Sequence, residues 1–333
     1  MRVASVGLGR WGKQLAEAAT KCGSTVAGCY SPTEASRQAF AEWFGCAPAE
    51  NLDELLSRPD IDAVLIATPH STHADIAVAA AAAGKHLLVE KPLAPTVDEA
   101  RRVIAAARQA GVTLQVGHNR RRTSATRRIK QMLEAGELGD VLLAEGTTAR
   151  PIANLPWFTG WRVDGAESPL GGMTAVGVHL VDNLHYLLGP VETVFARSNK
   201  VLAGGGLDDV TVLVLEFAGG TLGYIGTSLR IPPAFSMKIH GTAAVAWTED
   251  TRAQKGGTGS KLFRQDVSET GGTELPLATV NPLVDQFEEF VRCCEQRTEP
   301  ETGADEGLAV VAVIAAAIES VRSGRAVELS QVL

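Results

Sequence analysis

The glycine pattern at residues 7–12 constrains the fold more than any other feature of this chain. It reads Gly7-Leu8-Gly9-Arg10-Trp11-Gly12 and lies between an apolar segment, Arg2–Val6, and a segment whose apolar residues recur at helical spacing. The pattern therefore predicts a strand, a tight turn at the first glycine and a helix that packs closely on the strand through the third.

The same alternation of short apolar strands and amphipathic helices continues to about residue 120. It predicts a doubly wound parallel sheet covered by helices on both faces. The strands that we predict after the first are Thr25–Tyr30, Ala63–Ala67, His86–Val89 and Thr113–Val116.

Beyond that point the strands become longer and alternate between apolar and polar residues, which is typical of an antiparallel sheet with one covered face. A chain of 333 residues also exceeds one ordinary core. We therefore predict a dinucleotide-binding domain over residues 1–120 and an α+β domain with a mostly antiparallel open sheet over residues 121–333. The glycine-rich stretch Gln254–Gly272 is predicted to be a surface loop or a hairpin insertion.

Net charge argues against nucleic acid or a membrane surface as a partner, because the chain carries a formal charge of -7. One local basic run is interpreted mainly as a solvated helix face. It consists of Arg120, Arg121, Arg122, Arg127 and Arg128.

Cysteine content and the first residues bear on location. The five cysteines are odd in number and none forms a C-x-x-C pair, which favours a reducing compartment. Met1 leads directly into the first strand, and the longest apolar stretch, Ile76–Gly84, is too short to span a bilayer. We therefore expect a cytoplasmic protein.

The end of the second predicted strand bears on the choice of nucleotide. Gly9 lets a pyrophosphate approach the helix N-terminus, and an NAD-selective site usually has Asp or Glu about twenty residues later. Tyr30 occupies that position here. Ser31, Thr33 and Arg37 suit a 2′-phosphate, although Ser31 and Thr33 equally suit a helix cap. Both NAD(H) and NADP(H) therefore remain open.

Glu90-Lys91-Pro92 directly follows a predicted strand, so Lys91 emerges at the carboxyl edge of the parallel sheet, where ligands bind. Together with the glycine pattern, the Ala67–His73 turn, the Gly171–His179 segment and the closing Glu306–Val327 segment, this tripeptide resembles the Gfo/Idh/MocA oxidoreductases. The similarity covers nearly the whole chain and is specific for the family rather than for a substrate.

The resemblance implies a Rossmann domain and hydride transfer between NAD(P) and a hydroxyl or carbonyl of a sugar, cyclitol or related polyol. It assigns Lys91 as the acid/base and His179 as a second catalytic residue. The family often has Asp four residues before this histidine, whereas this chain has Ala175. Asp182 either orients the His179 ring or makes a local cap or ion pair.

The predicted binding residues follow from these motifs. Thr68, Pro69, His70 and His73 are expected at the nicotinamide end of the cleft. The complete set for the cofactor is Gly7, Leu8, Gly9, Arg10, Trp11, Gly12, Tyr30, Ser31, Thr33, Thr68, Pro69, His70, His73, Glu90 and Lys91. The set for the substrate is Lys91, Asn119, Trp161, Arg162, Thr174 and His179. No metal is expected, since H-E-x-x-H and cysteine-cluster motifs are absent from the sequence.

Two other functions use the same parts. One is a lyase or glycosidase in which tightly held NAD undergoes an internal redox cycle, and the other is a nucleotide-binding sensor without catalysis. Retention of Lys91 and His179 argues against the sensor. The open sheet also predicts a homodimer or homotetramer.

Overall fold

The computed structural model describes residues 1–153, 155–202, 206–250 and 259–333. Its strands are β1 (Arg2–Val6), β2 (Thr25–Tyr30), β3 (Ala47–Pro48), β4 (Ala63–Ile66), β5 (His86–Val89), β6 (Leu114–Val116), β7 (Val141–Ala149), β8 (Val191–Asn199), β9 (Val210–Phe217), β10 (Leu222–Ser228), β11 (Ala234–Gly241), β12 (Ala244–Asp250), β13 (Ser260–Asp266), β14 (Thr273–Leu275) and β15 (Val327–Glu328). Its α-helices are α1 (Arg10–Lys21), α2 (Glu34–Phe44), α3 (Leu52–Ser57), α4 (His73–Ala82), α5 (Val97–Ala110), α6 (Ser124–Glu134), α7 (Val178–Leu188), α8 (Pro282–Gln296) and α9 (Ala304–Ser323).

The first sheet confirms the predicted doubly wound topology. Its six strands are parallel and run in the order β3-β2-β1-β4-β5-β6. The chain moves outward from β1 to β3 and then returns to the other side of β1, so the order reverses between β1 and β4. Ligands of open parallel sheets bind at this switch point.

The division of the chain differs from the predicted 121–333 domain. One unit comprises residues 1–119 and 281–311, and the other comprises residues 120–280 and 312–333. Residues 281–311 belong to the first unit because of packing. Phe287 and Phe290 of α8 are fully buried in the same apolar core as Leu15 of α1 and Phe40 of α2. The sequence pattern of α8 shows an apolar face but does not show which sheet that face covers.

The second unit is built on a nine-stranded sheet in the order β14-β13-β12-β11-β7-β10-β9-β8-β15. Among the strands formed by the described residues, only β7 and β10 are parallel neighbours, which confirms the mostly antiparallel prediction. Of the predicted Gln254–Gly272 loop, residues 254–258 lie outside the described residues. Ser260–Asp266 forms a strand paired with β12, so the described part corresponds to the hairpin alternative.

The longest of the described helices, α9, has 20 residues. Within the described ranges, none of them is both long enough and apolar enough to cross a bilayer.

Candidate active site

The glycine turn lies at the switch point of the first sheet. Gly7 has φ +91°, donates its N–H to the Tyr30 carbonyl at 3.2 Å, and lies so close to the Ala67 carbonyl that a Cβ would overlap it. A Cβ on Gly12 would overlap the Gly7 carbonyl. Both positions therefore require glycine, since any side chain would push α1 away from β1.

Gly9, in contrast, has open space around it. It is exposed at the N-cap position of α1, and a Cβ built on it meets no atom within 4 Å. The helix N-terminus carries partial positive charge and presents backbone N–H groups. This open turn fits the pyrophosphate of a dinucleotide, which Gly9 and Arg10 would contact first.

The segment after β2 bears on the adenosine ribose. Residues 30–33 contain no carboxylate. Arg37 donates to the carbonyls of Ser31 at 2.9 Å and Pro32 at 3.2 Å, so its guanidinium holds this loop. Thr33 occupies the N-cap position of α2, but its side chain makes no capping hydrogen bond. The predicted capping role of Thr33 is therefore not realised, and residues 30–33 contain no carboxylate that would repel a 2′-phosphate.

Lys91 follows β5 at the same edge of the sheet. Glu90 donates its N–H to Ile66 of β4 at 2.9 Å, and Gly117 donates its N–H to Val89 at 2.8 Å. Lys91 itself is half-buried. The carboxyl ends of β4, β5 and β6 thus fix the backbone that carries the lysine.

Glu90 is a buried carboxyl beside this lysine, with 6% of its surface exposed. Burial raises its pKa from 4.5 to about 7, while the Lys91 charge, the Trp11 indole and the Lys91 N–H act in the opposite direction. A Cβ on Gly117 would lie 2.6 Å from Glu90 Oε1. Gly117 was missing from the predicted site, because its requirement arises between two strand ends that are distant in sequence.

The buried carboxyl makes a prediction about stability. The pKa of Glu90 is higher in the folded state than its ordinary value. The stability that comes from this shift is therefore fully present below about pH 4.5, where the carboxyl is neutral, and is lost as pH rises through about 7. As pH rises from about 5 to about 8, the unsubstituted protein should lose about 2 to 3 kcal/mol in free energy of unfolding that Glu90→Gln does not lose.

Urea unfolding of both proteins across this pH range measures the difference, since the other titrating groups are common to both. Glu17→Gln is the control, because Glu17 lies exposed on α1. Parallel pH curves for Glu90→Gln and the unsubstituted protein would contradict the prediction.

The turn after β4 holds the remaining predicted nicotinamide contacts. Thr68 and Pro69 are half-buried, and the Thr72 hydroxyl lies 2.7 Å from the Thr68 hydroxyl. His70 has 7% exposure and His73 has none. Each ring nitrogen of His73 faces a backbone carbonyl oxygen within hydrogen-bond distance, and a nitrogen that carries a proton donates to the carbonyl it faces.

In the second unit, a π-helical turn leads to His179. Gly171 has φ +52° and packs against the Asp208 carbonyl, and the backbone then forms the π-helical segment Met173–Gly177 directly before α7. π-helical turns occur frequently at functional sites. His179 lies in the first turn of α7 with 8% exposure, and Thr174 donates its hydroxyl to the Pro169 carbonyl.

Ala175, where the family often has Asp, lies beside an apolar cluster formed by Phe158, Leu207 and Leu229. The alanine packs against these side chains and is half-buried. A carboxylate in this setting would lose solvation without gaining an apolar contact. The substitution therefore agrees with its surroundings.

Asp182 pairs with Arg121. The guanidinium donates through Nη2 to Oδ1 at 2.6 Å and through Nε to Oδ2 at 3.2 Å, and it also lies over the Tyr186 ring at 4.9 Å. Asp182 thus pairs with a residue 61 positions away in sequence, which is not the local pairing that was predicted. Arg121 and Arg122 are 4% and 3% exposed, so the prediction of a solvated basic face was wrong for these two residues.

The remaining predicted substrate residues are divided between the units. Trp161 and Arg162 lie in a 3-10 turn, where the guanidinium stacks 4.5 Å over the indole ring. Asn119, the last residue of the first segment of the first unit, is 8% exposed. The first unit thus brings the Gly7–Gly12, Tyr30–Thr33, Thr68–His73 and Glu90–Lys91 segments to one sheet edge.

Comparison with known proteins identifies the class that this fold and site define. Residues 1–118 match the oxidoreductase family with an NAD-binding Rossmann fold, and residues 126–246 match the GFO/IDH/MocA C-terminal domain. The chain belongs to the Gfo/Idh/MocA oxidoreductase family.

Its relatives include enzymes of sugar and cyclitol metabolism. The chain is 28% identical to the 1,5-anhydro-D-fructose reductase of Ensifer adhaerens over 84% of this chain and 83% of that protein. It is 26% identical to the inositol 2-dehydrogenase of Rhizobium meliloti over 99% of both. A crystal structure from Desulfitobacterium hafniense, described as an NADPH-dependent oxidoreductase, superposes with a TM-score of 0.92 at 31% identity and covers 99% of this chain and 98% of that chain.

Proposed function

We propose that this protein is an NAD(P)-dependent dehydrogenase or reductase that acts on a CH–OH group of a sugar, cyclitol or related polyol, with Lys91 as its acid/base. One observation carries the proposal. Lys91 follows β5 at the carboxyl edge of the sheet whose β1 leads into the open glycine turn. A dinucleotide site and an ammonium group thus share the edge at which ligands of such sheets bind.

Bound nicotinamide supplies hydride donation or acceptance at its C4 atom. Lys91 Nζ takes the proton of the substrate hydroxyl during oxidation and returns it to the carbonyl oxygen during reduction. A backbone hydrogen bond from Glu90 to Ile66 of β4 fixes the strand end from which Lys91 emerges. We propose His179 as the second acid or base.

The substrate class rests on relatives and on aromatic surface. The relatives described above are named for an anhydro sugar and for inositol. Trp161, with Arg162 stacked on it, offers a ring face and guanidinium donors of the kind that bind the apolar face and the hydroxyls of a sugar. Replacement of the family's Asp by Ala175 leaves proton transfer to Lys91 and His179.

The experiment is a spectrophotometric screen at the absorbance of reduced nicotinamide. NAD and NADP are offered separately with a panel of aldoses, anhydro sugars, inositols and polyols, and cofactor binding is measured in parallel by thermal shift. Substrate-dependent reduction supports the proposal and also decides the cofactor choice at Tyr30.

Two other outcomes distinguish the alternative functions. Chemical conversion of a sugar without net reduction of the cofactor would point to an internal redox cycle. If the protein binds NAD or NADP but converts no substrate with either cofactor, a sensor would be favoured. Either result would replace the dehydrogenase proposal.

We also propose that the open face of the second sheet is covered by another copy of this chain. On that face, Val212 and Val214 of β9 are 40% and 47% exposed, and Leu222 and Tyr224 of β10 are 52% and 39% exposed. Tyr224 and Val214 are directly opposite in the register. Neighbouring apolar side chains of this kind favour a symmetric interface.

Light scattering after gel filtration tests the oligomer. The unsubstituted protein should elute as a dimer or tetramer, and Val214→Glu should shift it towards monomer because a buried charge opposes association. Val267→Glu, at a position 82% exposed in the turn after β13, is the control. A monomeric unsubstituted protein would refute the proposal.

A further inference from the structure

The His73 side chain connects two turns of the first unit. It lies at the start of α4 with no exposed surface, Nδ1 is 2.9 Å from the Pro92 carbonyl oxygen, and Nε2 is 3.1 Å from the Thr68 carbonyl oxygen. Carbonyl oxygens only accept, so each contact is a hydrogen bond when the facing ring nitrogen carries a proton. The ring is therefore a polar bridge inside the protein.

The two carbonyls belong to different parts of the candidate site. Thr68 lies in the turn after β4, and Pro92 is the residue directly after Lys91 in the turn after β5. β4 and β5 are paired up to Ile66 and Val89, and beyond these residues both strands have ended. The ring thus lies between the turn after β4 and the turn after β5, beyond the last residues at which these two strands pair.

We propose that His73 is a positioning residue for Lys91. By holding the Pro92 carbonyl against the Thr68 turn, the ring fixes where the lysine backbone leaves the sheet. This inference rests on the proposed function for its catalytic consequence. Small displacements of a reacting group lower rates strongly, and a shift of about 1 Å costs on the order of 100-fold.

An apolar residue would fill the same buried volume at a lower desolvation cost. The histidine is explained by the carbonyl oxygens that face its ring nitrogens, because a ring nitrogen that carries a proton can donate to one of them whereas an apolar side chain cannot. His86, at the start of β5, is a histidine whose ring does not face the turn that carries Lys91. Its Nδ1 accepts the Thr113 backbone N–H at 3.0 Å at the amino end of the strand, away from Lys91.

The test compares three variants. His73→Phe keeps an aromatic ring but removes both ring nitrogens, His73→Gln retains an amide donor, and His86→Phe, at the start of β5, is the control. We expect His73→Phe to lower kcat by roughly 10- to 100-fold with little change in cofactor Kd. His73→Gln should recover part of the loss, and His86→Phe should lower stability while leaving kcat within about 3-fold.

A second readout does not need turnover. Acylation of lysine amines by acetic anhydride, followed at Lys91 by mass spectrometry across a range of pH in cofactor-free protein, reports the environment of the Nζ atom. His73→Phe should change the rate and pH profile of labelling at Lys91 but not at Lys21, and His86→Phe should change neither.

The two readouts separate failure of the inference from failure of the proposed function. Unsubstituted kcat together with unsubstituted Lys91 labelling in His73→Phe would overturn the inference. If no substrate is turned over, or if Lys91→Met remains fully active, the proposed function fails and the labelling profile alone decides the inference. If His73→Phe does not fold, the same comparison is made with His73→Gln.

Discussion

Lys91→Met should lower kcat by about 10²- to 10⁴-fold, the range that a positioned general acid or base contributes. Methionine is an unbranched side chain one heavy atom shorter than lysine, and it lacks the nitrogen that carries the proton. The glycine turn that binds the pyrophosphate belongs to a different segment, so the Kd of the cofactor should change by no more than about 10-fold. The measurement is kcat with the substrate found in the screen, with cofactor Kd determined by fluorescence titration.

Lys85→Met provides the control for this variant. Lys85 directly precedes β5 and is buried, with 7% exposure. Its Nζ donates to the carbonyls of Arg58 and Ile61 at 2.8 Å each. Its loss should reduce stability and leave kcat largely unchanged. An equal fall in kcat for both lysine variants would show that Lys91 acts through folding, and an unchanged kcat in Lys91→Met would remove it from the chemistry.

The second large effect is expected at the buried ion pair of Arg121 and Asp182, whose side chains are 5% and 0% exposed. Asp182→Asn leaves the guanidinium buried without its counter-charge and should cost about 3 to 5 kcal/mol in free energy of unfolding. Arg121→Met leaves the carboxylate in the same position and should cost a similar amount. Denaturant unfolding of each variant measures these losses.

A double variant and a surface pair sharpen this prediction. Arg121→Met with Asp182→Asn should cost clearly less than the sum of the single losses, because neither charge is then left alone. Arg102 and Asp75 form a pair of 2.9 Å with exposures of 54% and 77%, and Asp75→Asn should cost less than about 1 kcal/mol. Equal losses at the buried and surface pairs would contradict the argument.

Much of the first unit could be predicted from local pattern. The apolar period of the β1 to β6 region and the spacing of its glycines depend on contacts between residues close in sequence, so the strands, helices and switch point follow without a structure. The short edge strands β3 and β14 were not predicted. They have two and three residues, too few to show an apolar period, and each pairs with one neighbouring strand.

Partners that are distant in sequence could not be predicted. Asp182 was predicted to orient His179 or to cap or pair locally, and Arg121 was assigned to a solvated face, because no local signal connects residues that lie 61 positions apart. The requirement for Gly117 arises only when its strand end is placed beside Glu90. The pattern placed His73 among the predicted cofactor contacts but contained no sign that its ring nitrogens face the carbonyl oxygens of Thr68 and Pro92.

The sequence by itself determined the doubly wound sheet, the open glycine turn and the emergence of Lys91 at the carboxyl edge, because strand period and glycine requirements are local properties of the chain. Only the tertiary structure decided that α8 returns to the first core, that Arg121 is buried against Asp182 and that His73 joins two turns. These features depend on which surfaces exclude water together and on which buried polar atoms meet across long separations in sequence.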